Sequence, residues 1–275
     1  MTSVLHKTRR LSLPVLIAAA LTLGLYGLIT QSIPSLRSVA YAQGNTCFVE
    51  ATGDNTTDYS SANASAIQTA VNAATSGDTL KVAGTCTGVQ TVSGQTQTVY
   101  INKQITLIGG YTNGNWTATP DPVANPTVLD ANSSGRVFYI TTNGDATVEN
   151  LILQNGSSAF GGAIFHLGPL TLHQSQIQNS TAPVGGGIYS SGSALTITQS
   201  SLISNTAGSS GGGIYNDNTV TTIENSTFSN NQVTGGGTGD GGGAIYSVGN
   251  NTPTTIRYST LAATAPPAVA AVAGR

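Results

Sequence analysis

The chain has 275 residues and a formal net charge of −2 at pH 7, with only 7% charged residues and 34 glycines. Disorder is disfavoured, because disordered chains combine high net charge with few β-branched residues, whereas 39% of this chain is hydrophobic and rich in Ile, Val and Leu. This composition favours a β-solenoid of low charge.

Residues 1–42 have the pattern of an export segment. A basic start precedes an apolar run over residues 15–29, and Ala40-Tyr41-Ala42 forms a small-x-small cleavage site. The alternative is an uncleaved membrane anchor, for which the run over residues 11–29 is short. In either case we expect the rest of the chain to be secreted or on the cell surface, and membrane contact only through an uncleaved N-terminal segment.

Removal of residues 1–42 would leave five Lys and Arg residues against eleven carboxylates, which is a net charge of −6 with His neutral. Proteins that bind phosphate backbones need clustered Lys and Arg. No nucleic-acid partner is therefore expected.

Two cysteines, Cys47 and Cys86, follow the export segment. An even pair in an oxidising compartment suggests one disulfide, and the alternative is two free buried thiols. There is no Cys-x-x-Cys spacing and no His-Cys cluster, so we predict neither a metal site nor a cofactor.

Residues 43–80 form an N-terminal segment with one short helix. Apolar residues recur at helical spacing over residues 66–74, and Gly77-Asp78 ends the pattern. The following Thr79-Leu80-Lys81-Val82 alternates as a strand does.

Strand patterns continue over residues 99–110, and residues 111–126, with three prolines and Trp116, then interrupt them. A loop on a rigid scaffold often carries recognition, which makes Trp116 a candidate binding residue. The alternative is a loop folded down over a coil.

Four copies of one phrase follow, each with glycines before an isoleucine and an aromatic residue. They are GGAIF at residues 161–165, GGGIY at 185–189, GGGIY at 211–215 and GGAIY at 242–246. Recurrence at roughly 20–50 residues is typical of a solenoid. The sequence therefore predicts stacked coils.

A second phrase follows each copy, as in Thr196-Ile197 with Leu202 five residues beyond. Its polar residues correspond from coil to coil: Asn150, Gln174, Gln199 and Asn225, then Ser175, Ser200, Ser226 and Ser259. Stacked strands lie about 4.8 Å apart, so equivalent side chains should lie above one another and bond their copies.

The two alternating phrases resemble the right-handed parallel β-helix of the pectin-lyase-like superfamily. More narrowly, they resemble the polymorphic outer membrane protein repeat, whose signatures are GGAI and FxxN. The FxxN signature occurs unchanged at residues 228–231. One coil before Asn205, Ser180 occupies the position where this signature has Asn. The resemblance covers residues 66–262. It implies an all-β, single-stranded right-handed parallel β-helix over residues 81–262, a short N-terminal capping helix, and an irregular tail over residues 263–275.

The repeat register also predicts one mixed-charge column on the outer surface. Its members are Glu149, His173, Thr198, Glu224 and Arg257. The two Glu residues would be three coils apart, about 14 Å, which is too far for paired-carboxylate catalysis. With no partner for His166 or His173 in the sequence, we predict no catalytic residue, and Glu149, His173, Glu224 and Arg257 join Trp116 as candidate binding residues.

The expected function is an exported, non-catalytic scaffold of the cell envelope or outer membrane, used for adhesion or glycan binding. Expected partners are extracellular glycans or other surface proteins, with end-to-end self-association at an uncapped C-terminal coil. The alternative that the resemblance implies is a polysaccharide lyase or glycoside hydrolase.

Overall fold

The computed structural model describes residues 46–235, 241–249 and 253–262, together with the backbone of residues 272–274. The predicted export segment, residues 1–42, lies outside these ranges. The one helix described is Ser65–Ala73, and every other described element is a strand. No helix within these ranges is long and apolar enough to cross a membrane.

The largest sheet has fifteen strands in two arms that share the strand Thr79–Thr87. The first arm continues in parallel through Gln104–Tyr111, Asp145–Glu149, Leu170–His173, Ala194–Thr198, Val220–Glu224 and Thr254–Arg257. The second arm continues in parallel through Thr127–Asp130, Leu151–Gln154, Gln176–Gln178, Ser201–Ile203, Thr227–Ser229 and Thr260–Ala262. Cys47–Glu50 and Tyr59–Ser61 add antiparallel strands at the start.

Two further sheets complete the coils. The eight-stranded sheet contains Gln90–Val92, Gln95–Ile101, Arg136–Ile140, Ile164–His166, Ile188–Ser190, Ile214–Asp217, Ile245–Val248 and Val272–Gly274. The three-stranded sheet contains Thr181–Val184, Thr206–Ser210 and Gln232–Val233. The chain visits the sheets in turn, so each strand pairs with its equivalent in the next coil.

The isoleucines of the repeated phrase lie directly over one another. Ile164 pairs with Ile188, Ile188 with Ile214, and Ile214 with Ile245, and all four are fully buried. The core is therefore a file of equivalent apolar side chains. This register confirms the predicted fold, an all-β parallel β-helix with a short N-terminal helix.

Glycine is required at the corner before each of these isoleucines. Gly185 has a φ of +67°, and an added Cβ would lie 2.5 Å from the carbonyl oxygen of Ile188. The second glycine of the phrase meets a different limit, because a Cβ on Gly212 would lie 2.4 Å from the Gly243 oxygen of the next coil. The paired glycines thus serve a left-handed turn and close stacking, respectively.

The predicted serine column forms a continuous hydrogen-bond ladder. The Ser175 N–H donates to Ser200 Oγ at 3.1 Å, and Ser200 and Ser226 repeat this bond to the next serine along the stack. Each hydroxyl also donates to a carbonyl two residues earlier in its own coil, as Ser200 does to Thr198 at 2.8 Å. The side chains therefore satisfy backbone groups that the corner removes from the strand ladder.

Asparagine builds a second ladder inside the next corner. Asn205 accepts from the Ser180 N–H at 3.1 Å and donates to the Ile177 carbonyl at 3.1 Å, and its own N–H donates to Asn231 Oδ1 at 3.0 Å. Ser180 replaces Asn at this position and still accepts from the Gly156 N–H at 3.1 Å. A hydroxyl thus keeps one of the bonds that the longer amide makes.

The helix Ser65–Ala73 covers the first coil. Ile67 and Val71 are buried in the core, and the Gln68 amide accepts from the Tyr100 N–H at 2.6 Å and donates to the Tyr100 carbonyl at 3.2 Å. These bonds satisfy the strand edge as another coil would. The predicted Cys47–Cys86 disulfide is present and joins the antiparallel strand Cys47–Glu50 to the first coil.

Three residues of the predicted irregular tail, residues 263–275, have regular backbone structure. The backbone of Val272–Gly274 forms a strand paired in parallel with Ile245–Val248. The physical reason is that the outer edge of Ile245–Val248 offers N–H and C=O groups that an extended segment can pair.

Candidate functional site

The mixed-charge column has the register that the sequence predicts. Glu149 pairs with His173, His173 with Thr198, Thr198 with Glu224, and Glu224 with Arg257. His173 Nδ1 lies 2.8 Å from Thr198 Oγ1, and Arg257 Nη1 lies 3.9 Å from Glu224 Oε1.

This column is an open surface rather than a reaction centre. Glu149 and Glu224 are separated by two intervening strands, which corresponds to about 14 Å. The side chains of Arg257 and Glu224 are 64% and 36% exposed, and solvent-exposed ion pairs contribute little binding or stability. The register brings polar side chains together in one file, but it brings no two carboxylates together.

Trp116 does not project from its loop. It is 1% exposed, its N–H donates to Asn55 Oδ1 at 2.8 Å, and its indole Nε1 donates to Thr57 Oγ1 at 3.3 Å. The Trp116 ring is therefore not exposed on its loop, and the alternative of a loop folded down onto its neighbours is observed. The reason is burial, because the large indole gains more from packing beside Tyr111, at 5.9 Å between ring centroids, than from exposure.

The same loop forms one wall of a groove, which we call the corner groove. Its volume is about 190 Å³, and it lies between the end of the loop and the corner that joins the two arms of the large sheet. The lining residues are Pro122, Val123, Thr127, Asn150, Leu151, Ile152, Gln174, Ser175, Gln176, Gln199 and Ser201. They offer amides, hydroxyls and aliphatic groups.

Backbone geometry places the amides at this corner. Asn150, Gln174 and Gln199 all adopt left-handed backbone conformations, with φ of 57°, 46° and 49°. A short polar side chain tolerates this conformation well, and Gln does so less readily. The turn directs equivalent residues of three successive coils to one edge of the groove.

A chain of side-chain hydrogen bonds orients Gln176. Gln154 Nε2 donates to Asp130 Oδ2 at 2.8 Å, Gln178 Nε2 donates to Gln154 Oε1 at 2.8 Å, and Gln176 Nε2 donates to Gln178 Oε1. An ionised carboxylate only accepts, so Asp130 fixes the direction of every bond in the chain. Gln176 Oε1 is therefore left as an acceptor at the groove.

Asn150 is the least satisfied polar residue of the lining. It is 7% exposed, and its Oδ1 atom has no hydrogen-bond partner among the described residues. Buried amide oxygens are usually paired, because an unpaired one loses the hydrogen bonds that water gave it. The Asn150 Oδ1 atom is itself buried, so this unused hydrogen-bonding group belongs to the lining but is not exposed in the groove.

The chain matches no family model, no curated protein and no solved structure. Within the described ranges, no group of three or more His, Cys, Asp and Glu side chains is placed to hold a metal ion.

The eight-stranded sheet carries an aromatic column that the sequence reasoning missed. Six rings stack on its outer face: Tyr100, Tyr139, Phe165, Tyr189, Tyr215 and Tyr246. Successive centroids lie 5.0 to 5.6 Å apart, and the planes differ by 3° to 21°. Because each inner ring faces its neighbours, its faces are not open for a sugar to stack on. The column therefore stabilises the coils, at about 0.5–1.5 kcal/mol per ring pair.

Two polar contacts anchor this aromatic column. The Arg136 guanidinium lies 5.2 Å from the Tyr139 ring centroid and 5.4 Å from that of Phe165, and burial lowers the pKa of Arg136. Tyr189 donates its hydroxyl to Asp217 at 3.1 Å, and burial together with the charge of Asp217 raises the pKa of Tyr189 to about 12. Tyr189 is thus a neutral hydrogen-bond donor at neutral pH.

The sequence contained a signal for the aromatic column but a weaker one for the groove. The aromatic residue follows the isoleucine in every copy of the phrase, and strand alternation places it on the outer face. The corner amides were visible as a column, whereas the position of Pro122 and Val123 against them depends on an aperiodic loop.

Proposed function

We propose that this chain is an exported protein of the cell surface or secreted space that binds extracellular glycans or other surface proteins on a non-catalytic β-helix. We also propose that the chain is a pectin-lyase-like protein with polymorphic outer membrane protein repeats, which its two phrases resemble. The corner groove carries it, because amides and hydroxyls that converge beside aliphatic groups are the usual composition of a ligand site.

Enzymes that cleave glycans need charged side chains at the site, which contrasts with the neutral lining of the corner groove. Glycoside hydrolysis uses two carboxylates about 5–10 Å apart, and lyase chemistry needs a base beside groups that neutralise the substrate. The lining of the corner groove consists of neutral side chains throughout. A second groove of about 290 Å³, lined by residues 63–65 and 87–90, is also neutral in its described lining.

The alternative of a lyase or hydrolase rests on the resemblance and on the Glu224–Arg257 pair, the one carboxylate–guanidinium pair within 4 Å among the described residues. Its open position on a strand face supports a binding surface better than a catalytic cleft.

A glycan array combined with a turnover assay tests the proposal. We expect binding to immobilised glycans without release of reducing ends or unsaturated sugars from polysaccharides. Release of either product, abolished by Glu224→Gln, would replace the proposal with the enzyme alternative. Absence of both binding and turnover over a broad glycan set would leave surface proteins as the ligand class, to be tested by pull-down with purified envelope proteins.

A further inference from the structure

We propose that the corner groove binds an uncharged, hydroxyl-rich oligosaccharide that lies along the stack of coils. This inference rests on the proposed function and names its site and ligand class.

The lining selects against charged sugars. Among the described residues, the eleven that line the groove carry no ionisable side chain. The nearest acid in the hydrogen-bond chain, Asp130, already accepts from Gln154 at 2.8 Å and from Asn155 at 3.0 Å. A uronate or sulfate group would lose hydration here without gaining a counter-charge, which costs free energy.

The polar groups match hydroxyls. A sugar hydroxyl both donates and accepts, and so does each amide of the lining. Gln176 Oε1 is held as an acceptor by the hydrogen-bond chain that ends at Asp130. Since an amide that is oriented before binding loses little entropy on binding, Gln176 is the strongest contributor that the groove offers.

The opposite wall supplies apolar contact. Val123 is 81% exposed, which is unusual for a large aliphatic side chain, and it lines the groove together with Pro122. Ile152 lies on the sheet side, whereas the Leu151 side chain is buried in the core. A pyranose ring has apolar C–H faces between its hydroxyls, and it fits between an aliphatic wall and an amide edge.

The repeat explains why the ligand is an oligosaccharide. Asn150, Gln174 and Gln199 are equivalent residues of three successive coils, and strands of neighbouring coils are about 4.8 Å apart. A ligand that runs along the stack meets a similar amide at each coil. Affinity should therefore rise with chain length until the ligand spans these three coils.

The test is calorimetric titration of the full chain with neutral gluco-, manno- and xylo-oligosaccharides from disaccharide to hexasaccharide, and with oligogalacturonates of equal length. We expect neutral oligosaccharides to bind with affinity that rises with length, and oligogalacturonates to bind at least about tenfold more weakly.

Gln176→Glu tests the site. It keeps the shape of the side chain, but a carboxylate cannot donate to Gln178 Oε1, so the acceptor that the ligand uses is no longer held in place and a charge is added to a neutral groove. Binding of the neutral ligand should therefore weaken about tenfold or more. Val123→Asp should have a similar effect with little risk to folding, because the side chain is 81% exposed. The matched control is Gln232→Glu, an exposed Gln on the three-stranded sheet, which should bind as the wild type does.

The outcomes separate the site from the function. If a neutral glycan binds equally to wild type, Gln176→Glu and Val123→Asp, the corner groove is the wrong site although the proposed function stands. If oligogalacturonates bind more tightly, the ligand class is wrong. If no glycan of any class binds, both this inference and the glycan-binding form of the proposed function are overturned.

Discussion

The folded chain should lose stability in acid because of His166. This residue is 0% exposed, its Nδ1 lies 2.9 Å from the Gly168 carbonyl oxygen, and its Nε2 has no partner among the described residues. A carbonyl only accepts, so the neutral ring carries its proton on Nδ1. Burial lowers the pKa of His166 from the ordinary 6.5 to about 4.

The direction of the change in stability with pH depends on whether the folded or the unfolded chain takes up the proton first. Below pH 6.5 the unfolded chain protonates His166, whereas the folded chain keeps it neutral until about pH 4. Stabilisation by the neutral ring is therefore complete above pH 6.5, is lost as the pH falls from 6.5 to about 4, and changes no further below that. Each pH unit of this interval costs about 1.4 kcal/mol, so the whole interval costs about 3 kcal/mol.

Urea unfolding at a series of pH values measures this loss, with His166→Asn as the comparison. Asn216 occupies the same register position two coils later and donates Nδ2 to the Thr219 carbonyl at 2.9 Å, so the fold already accepts Asn here. Carboxylates titrate alike in both proteins and cancel in the difference. The wild type should lose about 3 kcal/mol more than the variant between pH 7 and pH 4. Parallel pH profiles for the two proteins would refute the reasoning.

Three other changes probe the fold. Asn205→Leu should lower the free energy of unfolding by about 3 kcal/mol by leaving buried backbone groups unpaired, and Asn205→Ser by less; equal losses in urea unfolding would contradict the ladder. Replacing both Cys47 and Cys86 with Ala should cost about 4 kcal/mol, because the disulfide spans 39 residues, and an unchanged unfolding midpoint would count against this. Gly212→Ala places Cβ 2.4 Å from a neighbouring carbonyl and should lower the thermal midpoint clearly, whereas Gly208→Ala, with its nearest atom at 3.3 Å, should not; indistinguishable melting curves would show that the coils adjust.

Most of the fold could be predicted because a solenoid repeats its own register. Once Ile188 and Ile214 are aligned in the sequence, the period fixes which residues lie above one another, and the same alignment orders the serine ladder and the mixed-charge column. The pairing of Cys47 with Cys86 followed from there being two cysteines only. In each case the sequence either repeated a local pattern or allowed only one pairing.

The candidate site was less predictable because it depends on contacts between different kinds of segment. The burial of Trp116 results from packing against residues far away in sequence, Asn55 and Thr57, which no periodicity links. The corner groove needs an aperiodic loop beside a periodic corner. Strand alternation, by contrast, accounts for the burial of His166, since it follows the buried Ile164 by two residues.

The Gln68 amide reproduces on a helix the two backbone bonds that a further coil would make with Tyr100. It therefore acts as a terminator, which prevents another strand from pairing with Tyr100 at that end. Duplication or deletion of whole coils in the middle would change the length of the stack without disturbing this terminator.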